Sequence, residues 1–226
     1  MINKLAWDSD FFGKRIGEWQ TDTPPDANEG FEVVYAKSSK PILKPLEGFE
    51  KSHDETRVVF TKKLQNARKV RNTILPFAGS GFSKEDLYPV AFESGKYSRF
   101  KLDVKFGEES FKKLYTAWVD NSVTGKFANN ILIDTEGGEL RGMVTYKVLE
   151  HKAVIGLIGI LPGYQGKGIG RGLLEYVEKE LIETNINELT IPTQLANNGA
   201  CEFYEKNGYV ITETSYISHF WKDDTI

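Results

Sequence analysis

The chain has little of the chemistry that cross-links or ligates. Its 226 residues include one cysteine, Cys201, and three histidines. A single cysteine excludes an internal disulfide framework and fits a reducing compartment. No His/Cys cluster stands at metal-ligand spacing, so no metal is expected. Long apolar runs are also missing: the longest strongly apolar stretch, Ala153 to Leu161, is too short to span a bilayer as a helix. The opening MINKLAWDSDFF carries Asp8 and Asp10 where a secretory signal would need an apolar core, so a cytoplasmic protein is the expectation. Neither sign of charge dominates. A net charge of −3 argues against a nonspecific nucleic-acid grip. There is no internal repeat and no low-complexity tract. What remains is an ordinary globular composition, 40% apolar and 27% charged, long enough for one large domain or two small ones.

The pattern along the chain separates residues 1–66, read as a small N-terminal α/β domain, from residues 67–226. The first segment holds two strand-like runs, FEVVYAK (Phe31–Lys37) and TRVVFTKKL (Thr56–Leu64), between turn-rich stretches such as TDTPPDANEG. Trp7, Phe11 and Phe12 are its candidate core rings. The basic, polar Leu64–Asn72 reads as a linker. A helix follows at SKEDLYPVAF, where Ser83 and Asp86 form a capping pair and Pro89 limits the length. In the next segment Phe111, Leu114, Tyr115, Trp118 and Val119 fall on one helical face. Three strands come next. NILIDT and LRGMVTYKVLE are joined by the hairpin signal EGGE, and HKAVIGLIGIL is the third. A helix starts at Ile169. The strand NELTIPT, a helix capped by Asn198 and ended by Gly208, and the strand YVITETSYISHFW complete the order. The fold class expected is α/β (α+β): a mixed, mostly antiparallel central sheet with helices on both faces.

One stretch stands out. LPGYQGKGIGRGLL places Gly163, Gly166, Gly168, Gly170 and Gly172 at the mouth of a helix. A helix N-terminus offers unpaired N–H groups and partial positive charge, and a loop with few side chains lets an anion reach them. Lys167 and Arg171 add charge. The spacing is neither a P-loop nor a dinucleotide fingerprint. Gly156 and Gly159 interrupt the preceding strand, as at a bulge or a close approach by a ligand.

Two motifs carry a family resemblance. Gln165-x-x-Gly168-x-Gly170 resembles the pyrophosphate loop of the GNAT acetyltransferases. Asn197-x-x-Ala200-x-x-x-Tyr204-x-x-x-Gly208-Tyr209 is similar to their second signature. The order of elements over roughly residues 70–226 agrees. The resemblance implies acetyl-CoA as co-substrate, bound by Ile158, Gly159, Ile160, Gln165, Gly166, Lys167, Gly168, Ile169, Gly170, Arg171 and Asn197. It implies that Tyr204 also meets the cofactor and protonates the leaving thiolate, the alternative for its ring being core packing. It implies direct transfer with no acyl-cysteine, which leaves Cys201 a helix-face residue.

The N-terminal WDSDFFGKRIGEWQ is similar to the opening of the TDP-fucosamine acetyltransferases, which acetylate TDP-4-amino-4,6-dideoxygalactose. Ser98-Arg99-Phe100 and the tail TSYISHFW also resemble that family. An amine attacks only when neutral, so a base must take its proton. The family's base is a glutamate of the N-terminal domain. Counted without a gap from Gly48-Phe49, the position falls on His53, with Asp54 and Glu55 one and two residues further. SHDET is otherwise a solvated turn. Arg99 is either a phosphate ligand or an exposed loop arginine. The implied reaction is N-acetylation of a nucleotide-linked amino sugar. The alternatives are another primary amine (polyamine, aminoglycoside or peptide) and a non-catalytic acyl-CoA sensor. Such proteins often pair through their sheets, so a homodimer is expected, with the strand-rich tail as its route. No membrane or nucleic-acid partner is expected.

Overall fold

The computed structural model describes residues 1–20, 30–65 and 71–223. Most of TDTPPDANEG and the middle of the Leu64–Asn72 linker, with the 66/67 boundary, lie outside the described residues.

The elements run β1 (Asn3–Lys4), α1 (Ala6–Phe12), β2 (Ile16–Trp19), β3 (Val33–Ser38), β4 (Phe49–Lys63) and β5 (Ile74–Pro76). Then come α2 (Lys84–Ser94), α3 (Arg99–Leu102), α4 (Gly107–Val123), β6 (Asn130–Glu136), β7 (Glu139–Leu149) and β8 (Lys152–Ile160). The chain closes with α5 (Ile169–Glu183), β9 (Glu188–Gln194), α6 (Asn198–Lys206) and β10 (Val210–Lys222). One ten-stranded sheet takes them in the order β1-β2-β3-β10-β4-β9-β8-β7-β6-β5. Only β2·β3 and β8·β9 are parallel, so the sheet is mixed and mostly antiparallel, with helices on both faces, as the pattern predicts.

Local signals explain most boundaries. Ser83 and Asp86 form the capping box of α2. Gly137 and Gly138 take φ of +61° and +82° in the β6–β7 hairpin, a turn that demands left-handed residues. The apolar face of α4 buries Phe111, Leu114, Tyr115 and Val119 against Leu87, Val90 and Ile133. On the opposite face Leu173, Leu174, Val177 and Leu181 of α5 pack on Leu132, Val144 and Ile155.

Three expectations are corrected. Pro89 does not limit α2, which runs on to Ser94. The backbone bond it forfeits would accept at Glu85, which is exposed and can use water. SHDET is not a turn: it is the interior of β4, paired to β10 by His53↔His219, Asp54↔Ser218 and Glu55↔Ile217. Trp7 is 48% exposed and stacks on Phe11, whereas Phe12 packs into the interior.

The N-terminal strands share this sheet with the rest of the chain. The C-terminal strand β10 is threaded between β3 and β4, and β4 pairs with β9 from Arg57↔Gln194 to Lys63↔Glu188. In β10, Tyr216–Trp221 is paired on both sides, whereas Val210–Ser215 pairs only with β4 among the described residues.

Candidate functional site

The sheet splits in the middle. β8 and β9 pair only at Ala153↔Leu189 and Val154↔Thr190, and then diverge. A cleft of about 1010 Å³ occupies the split. Ile155–Ile160 form one wall and Ile191–Gln194 the other. Gly156 is the extra residue of a bulge, since Thr145 pairs with Leu157 and Tyr146 with Ile155. Thr145 Oγ1 fills the space a side chain would need and accepts from Leu157 N at 2.9 Å. Gly159 has a different role. A Cβ there would stand 2.6 Å from the Val90 carbonyl, so this glycine lets α2 lie directly on the strand.

The glycine loop closes one end of the cleft. Gly163, Gly166 and Gly168 take φ of +86°, +74° and +76°, conformations that side chains resist. Gly168 is the N-cap of α5, and buried Ile169 anchors the first turn. The N–H groups of that turn have no partner within the helix, and the Arg71 guanidinium, donating to Lys167 O at 3.3 Å, stands beside Gly168. Gln165 braces the loop: its amide donates to Ile160 O at 3.1 Å and to Glu93 Oε1 at 3.0 Å. Gln165, Gly166, Gly168, Ile169, Gly170 and Arg171 all line the cleft, as do Ile158, Gly159 and Ile160. Lys167 is not in the wall; its Nζ sits over the Tyr164 ring. Gly172 is a packing residue, with Arg71 Cδ 2.6 Å from where its Cβ would be.

α6 supplies the opposite wall. Asn197, and not the expected Asn198, caps it by accepting from Ala200 N at 3.3 Å, and also lines the cleft. Tyr204 is buried beside Phe60 and Phe203, and borders the cleft. Burial pushes its phenol well above the ordinary tyrosine range, so the hydroxyl holds its proton at neutral pH. No hydrogen-bond partner for that hydroxyl occurs among the described residues. Cys201 is buried, with Sγ 3.7 Å from Gln194 O.

The other end of the cleft is charged. Glu18, Lys37, Glu55, Arg57 and Arg99 line it, with Tyr97, Tyr115 and Trp118. Alternation along β4 puts His53, Glu55 and Arg57 on one face. His53, the position counted without a gap, is not in the cleft wall; Glu55, two residues on, is. Glu55 Oε2 is enclosed without a partner, and burial, opposed by Arg99 and Arg57, raises this carboxyl above its ordinary value. Asp54 points to the other face, paired with Lys51 at 2.6 Å and with the Ser218 hydroxyl. Arg99 opens α3. Its Cζ lies 4.7 Å from the Tyr35 ring centre and 4.8 Å from that of Phe100. Arg99, Arg57 and Lys37 make no ion pair among the described residues.

Sequence reasoning missed Arg57, Lys37 and Glu18. The signal for Arg57 was available: once SHDET is strand, the period of two carries the polar face on to it.

A sequence model described as the acetyltransferase (GNAT) family matches residues 93–209, just over half of the chain. The chain is 26% identical over 137 residues to the spore coat polysaccharide biosynthesis protein SpsD of Bacillus subtilis, covering 61% of this chain and 47% of that one. It is 29% identical over 75 residues to the [ribosomal protein bS18]-alanine N-acetyltransferase of Escherichia coli, covering 33% of this chain and 51% of that one. It thus spans about half the length of these curated relatives. Among solved structures, a GNAT-family protein from Novosphingobium aromaticivorans superposes with a TM-score of 0.57 at 11% identity, covering 84% of this chain and 74% of that one. A GCN5-related N-acetyltransferase from Sphaerobacter thermophilus gives 0.54 at 15% identity, covering 83% and 59%. At these identities the structures speak for the fold alone. With the split sheet and the glycine cradle beside it, the family match shows that the chain belongs to the acetyltransferase (GNAT) family.

Proposed function

We propose that the chain transfers an acetyl group from acetyl-CoA directly to the amino group of a nucleotide-linked amino sugar, such as dTDP-4-amino-4,6-dideoxygalactose. The observation that carries the acceptor class is the trio Lys37, Arg57 and Arg99. These are cations in the cleft wall with no ion-pair partner among the described residues. A polyamine would need the reverse charge, whereas phosphate oxygens suit guanidinium groups. The likeness to a polysaccharide biosynthesis protein supports a sugar acceptor.

The residues fit acetyl-CoA at the other end. The first-turn N–H groups of α5, with Arg171 beside them, suit a pyrophosphate. The unpaired edge of β8 at Ile158–Ile160 and the Asn197 side chain suit an amide-bearing arm. In this reading residues 1–66 supply most acceptor groups, and 67–226 supply the acyl donor site. Glu55 takes a proton from the acceptor ammonium, the neutral amine attacks the thioester carbonyl, and the nitrogen's second proton passes to solvent as the amide forms. Tyr204 gives its proton to the departing thiolate sulfur and is reprotonated from solvent. The sum is ammonium plus thioester giving amide, thiol and one proton. The chain works in the cytoplasm as a homodimer; the exposed Val210–Ser215 edge supports pairing.

A second reading, acetylation of a peptide N-terminus, is favoured by the likeness to the alanine N-acetyltransferase. Free-thiol release from acetyl-CoA with the TDP-amino sugar, spermine and a short peptide separates them. Turnover with the sugar and a product heavier by one acetyl group supports the proposal. Turnover only with another amine overturns the sugar assignment. Tight acetyl-CoA binding without turnover on any acceptor would favour a sensor.

A further inference from the structure

Behind Glu55 the sheet carries a row of polar rings. Tyr35 of β3, His219 of β10 and His53 of β4 are register partners, Tyr35↔His219 and His219↔His53, and so lie side by side on one face. The ring centres are 4.6 Å apart for Tyr35–His219 and 5.6 Å for His53–His219. Phe100 and Phe106 roof them. Five buried side-chain atoms lack a hydrogen-bond partner among the described residues, and four belong to this patch: Tyr35 Oη, His53 Nε2, His219 Nε2 and Glu55 Oε2. An unsatisfied buried polar atom destabilises the fold unless something pairs it. Four together are a feature to explain, and ordered water is the usual partner of such groups.

The tautomers follow from the partners. Asp103 Oδ2 accepts from Trp221 Nε1 at 3.0 Å and lies 2.7 Å from His219 Nδ1, so His219 carries its proton on Nδ1. Its Nε2 is then a fixed lone pair facing the patch. His53 differs. It is half-buried; Nε2 is its enclosed nitrogen, and Nδ1 is not among the enclosed atoms. Nε2 is thus turned inward, while the residue as a whole keeps contact with solvent. Glu55 bridges the two regions, since it lines the cleft and turns Oε2 inward. His53 and Glu55 are two residues apart on one face of β4, so their side chains are neighbours, and water between them would complete a relay.

We propose that His53 is the proton exit of this site, relaying the acceptor's proton from Glu55 to solvent, with Tyr35 and the Asp103-held His219 positioning the bridging water. This rests on the acetyl-transfer reading above. The proton leaves the acceptor nitrogen for the Glu55 carboxylate and passes through the water to His53 Nε2. The Nδ1 proton of the imidazolium then goes to solvent. Neutral imidazole is restored by exchange, and no other reactant is consumed. The charged and titratable groups facing His53 are Glu55 on its own strand, His219 on β10, Tyr35 beyond it, and Arg99 and Asp103 from the α3 side, with the charge of Asp54 felt from the opposite face. Asp103 stabilises the transient imidazolium and Arg99 opposes it.

The test is buffer rescue. In dilute buffer, His53→Ala and His53→Gln should each lower turnover at least about tenfold, with acetyl-CoA affinity retained. Added imidazole should restore the alanine variant and leave the unmodified protein unchanged. Unreduced turnover in dilute buffer, or a loss that imidazole does not restore, overturns the relay. If the unmodified protein turns over none of the amines, it is the transfer reading that fails. The relay is then read directly from ¹⁵N spectra of the three histidines. Glu55→Gln should shift the titration of His53 while His219 stays the Nδ1–H tautomer, and an unmoved His53 overturns it.

Discussion

His219 and Asp103, 116 residues apart in sequence, meet at 2.7 Å in the interior, both fully buried. Each sets the other's charge. Burial outweighs the attraction of Asp103 and lowers His219 from 6.5 to about 4, so the ring is neutral at pH 7. Burial alone would raise Asp103, but hydrogen bonds from His219 and Trp221 outweigh it and hold the carboxyl at about 2.

Acid should therefore destabilise the fold in two steps. Between pH 6.5 and about 4 the unfolded chain takes up a proton at His219 that the folded chain refuses, so stability falls as pH falls. Below about pH 4 the folded Asp103 stays ionised while its unfolded counterpart does not. Its contribution is lost as pH falls towards about 2. Urea midpoints across this range check it. His219→Gln should flatten the first step by on the order of 2 kcal/mol. An unchanged slope would assign the first step to other groups.

Tyr204→Phe should lower kcat about a hundredfold with little change in acetyl-CoA affinity or melting temperature. The ring keeps its contacts with Phe60 and Tyr209, and only the proton donor goes. Steady-state kinetics beside calorimetric titration of CoA reads both. A full loss of CoA binding would instead make the hydroxyl a cofactor ligand.

The elements legible in the sequence are those whose signals are local. The EGGE hairpin, the Ser83 cap and the α4 stripe follow from neighbours within a few residues, whereas the α6 cap falls on Asn197, one residue before the expected Asn198. The start of β4 was hidden because its polar face meets a polar cleft, so His53 and Glu55 read as a solvated turn. The threading of β10 between β3 and β4 is non-local and leaves no mark in either strand. The acyl-donor end was legible because left-handed glycines and a helix mouth are written contiguously. The acceptor end is assembled from β2, β3, β4 and α3, which only the fold brings together. Nothing near Asp103 in sequence announces its histidine.

The loop and strand glycines should separate binding from stability. Gly166→Ala meets no neighbour but forces a side chain into the left-handed region, which costs about 1–2 kcal/mol locally. The acetyl-CoA KM should rise about tenfold as the cradle distorts, with kcat largely kept. Gly159→Ala drives a methyl into the Val90 carbonyl and should cost about 2–3 kcal/mol of global stability. Denaturation curves beside KM values distinguish the two. Equal effects on both readouts would mean that the loop is part of the core.

The unpaired cations should govern the acceptor and not the acyl donor. Arg99→Met removes a guanidinium lying over the Tyr35 and Phe100 rings, and Arg57→Met removes the second arginine of the same end of the cleft. Each should raise the KM for an anionic amino-sugar acceptor about tenfold or more, while the acetyl-CoA KM stays within twofold. Arg99→Lys should recover little, because a point charge cannot reproduce the planar fork. Added salt should weaken acceptor binding in the unmodified protein more than in the double variant, since fewer charge contacts remain to be screened. Glu55 tests the same geometry from the other side. Without Arg99 and Arg57, which lower its carboxyl, burial acts unopposed and the group rises further. The acid limb of the pH–rate profile should then move to higher pH in either arginine variant. A limb that stays in place while the acceptor KM rises would leave the arginines as acceptor ligands and remove Glu55 as the base.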